Sequence, residues 1–304
     1  MLRYLYNFII FPGFLFTAAF GLAASWIDRK VTARIQWRVG PPWYQPFVDL
    51  VKLSIKEIII PKAASKTLFL ISPLIGLSAI TLVSTFVWLA NISPGSRGFS
   101  GDIIVIVYLL TLPAIAVITG ASASGNPLAS LGASREIKLI LAYELPFIIS
   151  LSVPIIKSSG LLRLGDIINY QIGHGSFILS ISGFIAFIVS IFCMQAKLGL
   201  VPFDASEAET EIMAGTCIEY SGMPLAVLKL TRAMMLTVMP LFLISLFWSG
   251  FNLVSIWKYV LLLVIIILIK NTNPRVRIDQ AVRFFWGKMA LLAIVAVLLA
   301  MIGK

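Results

Sequence analysis

Carboxylates are concentrated in one stretch of the chain, residues 201–222, which reads VPFDASEAETEIMAGTCIEYSG. Five of the thirteen acidic residues lie here within sixteen positions, between apolar segments of membrane-spanning length: Asp204, Glu207, Glu209, Glu211 and Glu219. Charged groups beside a bilayer core are costly, so such a cluster indicates a function. Crowded carboxylates resist joint ionisation, and some of their pKa values should rise until protons exchange near neutral pH. The stretch is a candidate proton-handling site, although an exposed acidic loop without a function fits the same residues.

The spacing of these acids predicts how they would be arranged. A short helix that begins at Asp204 would place Glu207 and Glu211 on the same side, at i+3 and i+7, with Glu209 on the other side. Because neighbouring carboxylates share protons, we expect Glu209 and Glu211 to act as a coupled group. Asp204 and Glu207 would support them.

The runs PFDASEAETE and EYSG carry a family resemblance. They resemble the signature loop of the membrane-anchor subunit of complex I, called the H subunit in bacteria, and of its relatives in energy-converting membrane-bound NiFe hydrogenases. The resemblance covers nearly the whole chain. It implies a subunit that is not catalytic on its own and binds no cofactor. Such a subunit anchors a cytoplasmic arm of iron–sulfur and catalytic subunits, and in the hydrogenases a partner subunit carries a NiFe centre. It passes redox energy to antiporter-like and small membrane subunits.

Two features favour one branch of this family. The string at Gly132–Glu136 resembles the hydrogenase branch more than complex I itself. Lys229 and Arg232 stand in a region where complex I relatives typically carry an acid. The first interpretation is therefore a hydrogenase-type complex. The second is the H subunit of NADH:quinone oxidoreductase, which implies a quinone cavity.

Lys229 and Arg232 themselves have two interpretations. They are spaced i, i+3 and would share one helix face. They either pair with the loop acids or act as electrostatic switches that shift the pKa values of those acids when a redox partner changes state.

The composition predicts the fold class. With 59% hydrophobic and 12% charged residues among 304, the chain is an all-α polytopic membrane protein that forms a single transmembrane domain over residues 1–304. A bilayer crossing needs about 20 apolar residues. About eight stretches come near that length: Leu5–Trp26, Leu68–Leu89, Ile103–Ile118, Ile137–Ile156, Phe177–Met194, Leu225–Trp248, Val254–Ile269 and Met289–Ile302.

The positive charges predict the orientation. Sixteen lysines and arginines fall on one side of the predicted spans, including Lys197 as a loop residue, and six fall on the other. By the positive-inside rule, both termini lie outside the cell membrane, and the 28–66 loop and the acidic 196–222 loop face the cytoplasm. The net charge of +11 is explained by this distribution, so it does not indicate nucleic-acid binding.

Arginines open the first loop. Arg34 and Arg38 are four residues apart and would share a helix face, where two guanidinium groups suit a carboxylate-bearing partner. The resemblance implies that Arg29, Arg34 and Arg38 lie beneath the docked soluble arm or line a cavity. Positive-inside anchoring would account for the charges alone, but the resemblance favours docking or cavity lining. Residues Trp43–Ile60 follow, with apolar positions at helical spacing, and predict an amphipathic helix that lies in the cytoplasmic-side interface.

Glu144 lies two turns into the fourth predicted span, and Pro146 follows it. Because this proline cannot donate a hydrogen bond to the carbonyl of Ala142, a carboxyl and a freed carbonyl should meet at membrane depth, where water or a proton binds. The resemblance places a glutamate of this helix in the family's proton-conducting chain. Ser134 and Glu136 are expected to cap the start of the same helix and complement its dipole.

Cys193, Cys217 and His174 have no metal-ligand spacing, and we find no phosphate-binding or nucleophile motif. Any redox centre should therefore belong to a partner subunit. A stand-alone ion or solute transporter is a further alternative, but the internal repeats that are common in transporters are not evident in the sequence. The electron acceptor and the pumped ion are left open.

Overall fold

The computed structural model describes residues 2–94, 98–248 and 253–303, without the side chains of Leu2, Glu209, Thr210 and Leu253. In these ranges every regular element is helical. The α-helices are α1 (Leu2–Ile9), α2 (Phe14–Ile35), α3 (Gln45–Ile55), α4 (Lys66–Ile92), α5 (Asp102–Leu109), α6 (Leu112–Ala123), α7 (Pro127–Lys157), α8 (Leu164–His174), α9 (Ile181–Lys197), α10 (Glu209–Ile212), α11 (Gly222–Phe247), α12 (Leu253–Thr272), α13 (Ile278–Arg283) and α14 (Ala290–Met301).

Seven helical segments of the described chain are long and apolar enough to cross a membrane. Three of them join consecutive helices: α1 with α2, α5 with α6, and α13 with α14 through a π-helical segment, Phe284–Met289. The eighth crossing, α9, has 17 residues. The predicted all-α polytopic fold with about eight membrane helices is confirmed.

Hydrogen bonds between connections show which helix ends lie together. The amide of Ser65 donates to the carbonyl of Ala123 (2.9 Å), and the amide of Val276 donates to the carbonyl of Pro202 (3.0 Å). With eight crossings, these contacts place four connections at one end of the bundle. We call this end the loop side, and it carries residues 36–65, 124–126, 198–221 and 273–277.

Helix α11 is the centre of the bundle. It is apolar on nearly all sides, and 89% of its most apolar window is buried, against at most 56% for the other described spans. It contacts α2, α3, α4, α8, α9 and α12. A helix that is hydrophobic all round belongs in such a position. The backbone of α11 at Arg232 therefore lies between neighbouring helices, and Arg232 itself is half-buried.

The start of α7 differs from the sequence prediction. The helix begins at Pro127, where the side chain of Asn126 accepts a hydrogen bond from the amide of Leu128 (2.8 Å). Ser134 therefore caps nothing, and Glu136 lies well inside α7 instead of at its start. The small residues that suggested a connection pack the helix tightly. A Cβ on Gly132 would come within 2.8 Å of the amide nitrogen of Thr216 in the acidic loop.

The predicted interfacial helix is shorter than Trp43–Ile60. It is α3, Gln45–Ile55, and the backbone turns extended at Lys56. The next residues pack against the start of α11 instead of continuing the helix: the amide of Ile59 donates to the hydroxyl of Ser221 (3.0 Å). Gly222, at φ +60°, permits this approach, because a Cβ there would lie 2.7 Å from the carbonyl oxygen of Lys56.

Candidate proton-coupling site

The acidic loop is mostly irregular. It turns at Gly199 (φ +61°), and its α-helical part is only α10, so the helix predicted from Asp204 is wrong. The physical reason is tertiary: Phe203 is buried against Phe284 and Phe285, at ring-centroid distances of 5.7 and 4.8 Å. This packing and the Val276–Pro202 hydrogen bond fix the loop in turns.

The loop carboxylates pair with three different arginines instead of with one another. The pairs are Asp204 with Arg275 (2.8 Å), Glu207 with Arg232, and Glu211 with Arg135 (2.5 Å). Glu209 begins α10, and its side chain lies outside the described residues. Proton sharing between Glu209 and Glu211 stays a prediction.

Glu207 has the most complete set of partners. Both terminal nitrogens of Arg232 donate to its carboxylate, one of them at 2.6 Å. The hydroxyl of Thr216 (3.1 Å) and the thiol of Cys217 (3.3 Å) donate to the same carboxylate. Burial raises the pKa of Glu207, but the charge of Arg232 and these hydrogen bonds outweigh burial, and the pKa lies below its usual range. Glu207 is therefore ionised at neutral pH.

Asp204 behaves in the opposite way. Burial raises its pKa, and the nearby Arg275 only partly offsets that effect. Its Oδ1 atom is buried and has no hydrogen-bond partner among the described residues. One loop acid therefore has a raised pKa, chiefly because of burial and only to a small extent because of the neighbouring carboxylate, while the pKa of Glu207 in the same loop is lowered.

Glu136 projects from α7 to meet the acidic loop. Its side chain is buried and hydrogen bonds with Ser206, close to Glu207 and Arg232. The sequence predicts this residue near a helix start, where its charge complements the helix dipole, and also makes it one of the candidates for the proton path. The structure makes it the second carboxyl of the Glu207–Arg232 centre.

Glu144 of α7 forms an ion pair with Lys197 of α9. The Lys197 ammonium lies 3.0 Å from Oε2 of Glu144, and only 1% of the lysine side chain is exposed. It also lies 4.8 Å from the ring centroid of Phe147 and 5.7 Å from that of Tyr143. The sequence points to the freed carbonyl of Ala142 as a neighbour of Glu144, and the structure adds the ammonium of Lys197 as its ion-pair partner.

The assignment of Lys197 to a loop is wrong, because it is the last residue of α9 and is buried. With 17 residues, α9 is about 26 Å long at 1.5 Å per residue. That is slightly shorter than a hydrocarbon core of about 30 Å. The acidic loop therefore begins below the surface of the bundle, and Lys197 ends up inside it.

A small cavity of about 50 Å³ joins these groups. Its polar lining comes from α7, α9, the loop and α11: Glu136, Lys197, Ser206, Glu207, Thr231 and Arg232. At about 10–15 Å³ per water, it offers space for about three to five water molecules. Two carboxylates and two cations thus surround one polar cavity, and Glu144 lies directly behind Lys197. Water in such a cavity would connect the groups by hydrogen bonds.

Three predicted site residues lie elsewhere. Glu211 pairs with Arg135 near the surface, and Glu219 accepts a hydrogen bond from the side-chain amide of Asn126 (2.5 Å). Lys229 is exposed and does not share the orientation of Arg232. Instead it faces α3, where Asp49 has a pKa lowered chiefly by its hydrogen bond with Arg29, against burial, and to a smaller extent by the charge of Lys229.

The arginines of the first loop are also rearranged. Arg29 lies within α2 and pairs with Asp49 on α3 (2.8 Å). Arg34 is in the last turn of α2, but the helix ends before Arg38, and Trp37 at φ +60° reverses the chain. The two arginines therefore do not share a helix face. Both are exposed, and neither pairs with a carboxylate in the described part of the chain.

Comparison with known proteins decides the family. The NADH dehydrogenase family model matches residues 7–301. The chain belongs to the NADH dehydrogenase H-subunit family. The resemblance carried by PFDASEAETE and EYSG is confirmed. This H-subunit family member is thus a multi-pass membrane subunit of a complex I-like oxidoreductase.

Curated relatives and a solved structure agree on this family. The H subunit of NADH-quinone oxidoreductase from Anoxybacillus flavithermus is 31% identical over 298 residues, which cover 91% of this chain and 87% of the relative. The corresponding protein of Bacillus cytotoxicus is 32% identical over 325 residues, with 98% and 95% covered. A chain from the membrane-bound sulfane sulfur reductase, an archaeal respiratory membrane complex, superimposes with a TM-score of 0.87 at 29% identity and covers 98% of each chain.

In this H-subunit family member, sequence reasoning missed Lys197 and Ser206. A signal for Lys197 existed, because a lysine that closes an unusually short apolar helix cannot easily reach water. No sequence signal pointed to Ser206, because its role depends on a contact with Glu136, 70 positions away in the sequence. Among the described residues, no three His, Cys, Asp or Glu side chains come together in a way that would hold a metal.

Proposed function

We propose that this chain is the membrane-anchor and proton-coupling subunit of a hydrogenase-type respiratory complex. It links a cytoplasmic arm of iron–sulfur and catalytic subunits to antiporter-like and small membrane subunits. The observation that carries the proposal is the cavity shared by Glu136, Lys197, Glu207 and Arg232, with Glu144 paired behind Lys197. Buried ionisable groups within a membrane bundle mark ion paths by default.

The geometry supports a proton path with two groups of ionisable residues: the outer group is Glu136, Glu207 and Arg232, and the inner group, called the inner station, is Lys197 and Glu144. Glu207 is held ionised by Arg232, so it accepts a proton only when that guanidinium weakens its contact. Glu136, the second carboxyl at the same cavity, then receives the proton through water. The Lys197–Glu144 pair forms the inner station, because the lysine faces both the cavity and Glu144. A proton added on the cavity side of Lys197 changes the local charge balance and thereby the ion pair between Lys197 and Glu144.

Coupling to electron transfer would act through the loop side. Asp204 and Glu211 tie the acidic loop to Arg275 and Arg135, on two different elements. A soluble arm that docks on the exposed Arg34 and Arg38 would lie over the same face. A charge change in that arm would shift the loop and, with it, the Glu207–Arg232 contact. The subunit itself supplies no redox group in this scheme.

The size of the cavity argues against a quinone site within this chain alone, which supports the hydrogenase-type branch unless a partner subunit completes such a site. Pockets for small molecules usually measure about 300–1,000 Å³, whereas this cavity has about 50 Å³. A quinone ring does not fit into it. The full-length similarity to a chain of an archaeal sulfane sulfur reductase complex supports the same branch. The sequence adds Lys229, which departs from the acid that complex I relatives typically show in this region.

A second candidate is the H subunit of NADH:quinone oxidoreductase. The names of the 30–32% identical relatives favour it. In that case the quinone would bind between this chain and a partner subunit.

Purification of the tagged chain in mild detergent separates the candidates. Nickel and cluster-bearing subunits support the first, a flavin-containing NADH-oxidising module supports the second, and a chain that purifies alone contradicts both and favours a transporter.

The proton path is tested by ion uptake into proteoliposomes that contain the complex. Glu136→Gln keeps the size of the side chain but cannot carry a proton, so we expect electron transfer to continue while uptake falls at least tenfold. The matched control is Glu57→Gln, which neutralises an exposed glutamate on the loop side. Normal uptake in the Glu136 variant would contradict the proposal. Uptake assays in H⁺ and Na⁺ gradients identify the pumped ion.

A further inference from the structure

A second cavity lies on the loop side, away from the proton-coupling site. It is a groove of about 520 Å³ between the end of α9, the start of the acidic loop and the π-helical segment. Its apolar wall is formed by aromatic rings: Phe192, Phe203 and Phe284. Arg283 and Lys288, both exposed, line the same groove. It combines an apolar wall with two cations.

The π-helical segment explains why the two cations share the groove. In an α-helix, residues five apart point about 140° away from each other. Arg283 immediately precedes the π-helical segment Phe284–Met289 and Lys288 lies within its last turn, where the i→i+5 hydrogen-bonded backbone is wider than an α-helix. Residues five apart lie closer to one face in such a turn. Short π-helical insertions occur frequently at functional sites.

The groove lies at the depth of lipid headgroups. α14 ends at Met301 on the opposite side, and about 20 residues are needed to cross the hydrocarbon core. Counting back from Met301 brings the loop-side boundary of the core close to Arg283. Lys288 begins about one turn deeper, from where a lysine side chain can reach up to the interface. Trp286, which is exposed in the same segment, is a residue type enriched at this level.

The charges around the groove are unbalanced. Among the residues that the structure describes, no carboxylate lines it. The nearest acids along the chain are already paired, Asp204 with Arg275 (2.8 Å) and Asp279 with Arg277 (3.4 Å). In the described residues, neither Arg283 nor Lys288 has an ion-pair partner. The complementary ligand must therefore carry negative charge together with apolar chains.

We propose that this groove binds an anionic phospholipid, with its phosphate between Arg283 and Lys288 and an acyl chain against the aromatic wall. Basic pockets between membrane helices are suited to anionic headgroups. The site is independent of the proton path proposed above. It adjoins the acidic loop through Phe203, so a bound lipid also supports the position of that loop.

The first test compares lipid retention by the intact complex. We would measure co-purified lipid by native mass spectrometry for wild type, for Arg283→Gln/Lys288→Gln, and for Lys62→Gln/Lys66→Gln. The last variant is the matched control, because it removes two exposed cations of the loop side away from the groove. We expect wild type and control to retain one more anionic phospholipid than the groove variant. Equal retention in all three, or loss in the control as well, would overturn the proposal.

Three further measurements test whether the loss of lipid comes from the lost charge or from misfolding, and whether the ligand is a lipid or a protein. Arg283→Lys/Lys288→Arg keeps both charges and should retain the lipid. In nanodiscs, delipidated wild type should bind phosphatidylglycerol at least tenfold more tightly than phosphatidylcholine with the same acyl chains. A photoreactive phenylalanine at Phe192 should crosslink to phospholipid. A peptide adduct from another subunit, or equal affinity for the two lipids, would overturn the proposal.

Discussion

The ammonium of Lys197 lies 3.0 Å from Oε2 of Glu144, at the point where the shortest membrane helix ends against α7. Both partners come from crossings that are apolar over most of their length. Removing one member of a buried ion pair leaves an uncompensated charge, which costs more than removing both. The pair is therefore a structural contact and a candidate proton station at once, and the two roles can be separated.

Lys197→Met should destabilise the subunit by about 3 kcal/mol, the lower end of the range for buried pairs, because Glu144, whose side chain is 19% exposed, loses its cation. Lys197→Met combined with Glu144→Gln should recover most of that loss but should not recover ion uptake. Thermal unfolding and proteoliposome uptake measure the two effects. If the double variant pumped normally, the pair would be structural only.

Glu144→Gln alone should keep the complex assembled, because glutamine retains the size and the oxygen acceptor of glutamate, while ion uptake fails. Glu144→Asp should recover part of the uptake, since aspartate titrates but reaches less far. Subunit composition, electron-transfer rate and uptake are measured together. Disassembly of the glutamine variant would show that the residue mainly holds the helices together.

Lowering the pH should reduce the stability of the protein, because Glu207 of the acidic loop becomes protonated. The folded-state pKa of this group lies below its usual range. It therefore contributes stability above its unfolded pKa of about 4.3, and this contribution is lost as the pH falls through the folded value. The Tm of wild type should exceed that of Glu207→Gln at neutral pH, and the difference should shrink below about pH 4. A difference that grew with acid would contradict the lowered pKa.

Neutralisation of the acidic loop should have graded effects. We expect the amide variant of Glu207, whose side chain is 24% exposed, to lose more ion uptake than that of Glu211, whose side chain is 53% exposed. A variant with Asp204, Glu207, Glu209 and Glu211 all changed to amides should not pump. Uptake normalised to electron transfer is the measurement. Full pumping by the fourfold variant would exclude the loop from the proton path.

Gly132→Ala should displace the acidic loop. The added Cβ would lie 2.8 Å from the amide nitrogen of Thr216 and 2.9 Å from the carbonyl oxygen of Ser206, both backbone atoms. Overpacking of this kind costs about 1–3 kcal/mol. Gly173→Ala is the matched control, because that helical glycine has open space around its Cβ position. We expect a lower Tm and slower uptake for Gly132→Ala only. Equal behaviour of both variants would contradict the tight contact.

Charge reversal at Arg34 and Arg38 should detach the soluble arm, since both guanidinium groups are exposed and lack a carboxylate partner in the described chain. Membrane insertion should remain intact. Purified membranes are assayed for bound cluster-bearing subunits. Single cysteines at either position should react only from the cytoplasmic side, and labelling from the outer face would refute the orientation.

The sequence alone was sufficient for the class of the fold, the approximate number of crossings, the family and the position of the acidic stretch. These depend on local properties: the length of an apolar run and the order of residues in a motif. Local pattern was also enough to select Glu144, because an acid inside an apolar run is costly wherever its partner lies.

Only the tertiary structure decided which charges meet. Lys197 pairs with Glu144 from 53 positions away, and Arg232 pairs with Glu207 across 25 positions. The helix predicted from Asp204, the cap at Ser134 and the shared face of Arg34 and Arg38 were wrong. Packing of Phe203, an earlier helix start at Asn126 and a backbone reversal at Trp37 replaced them. Helix periodicity orients a side chain about its own axis, but ion pairs depend on the placement of separate helices, which is determined by burial across the whole bundle.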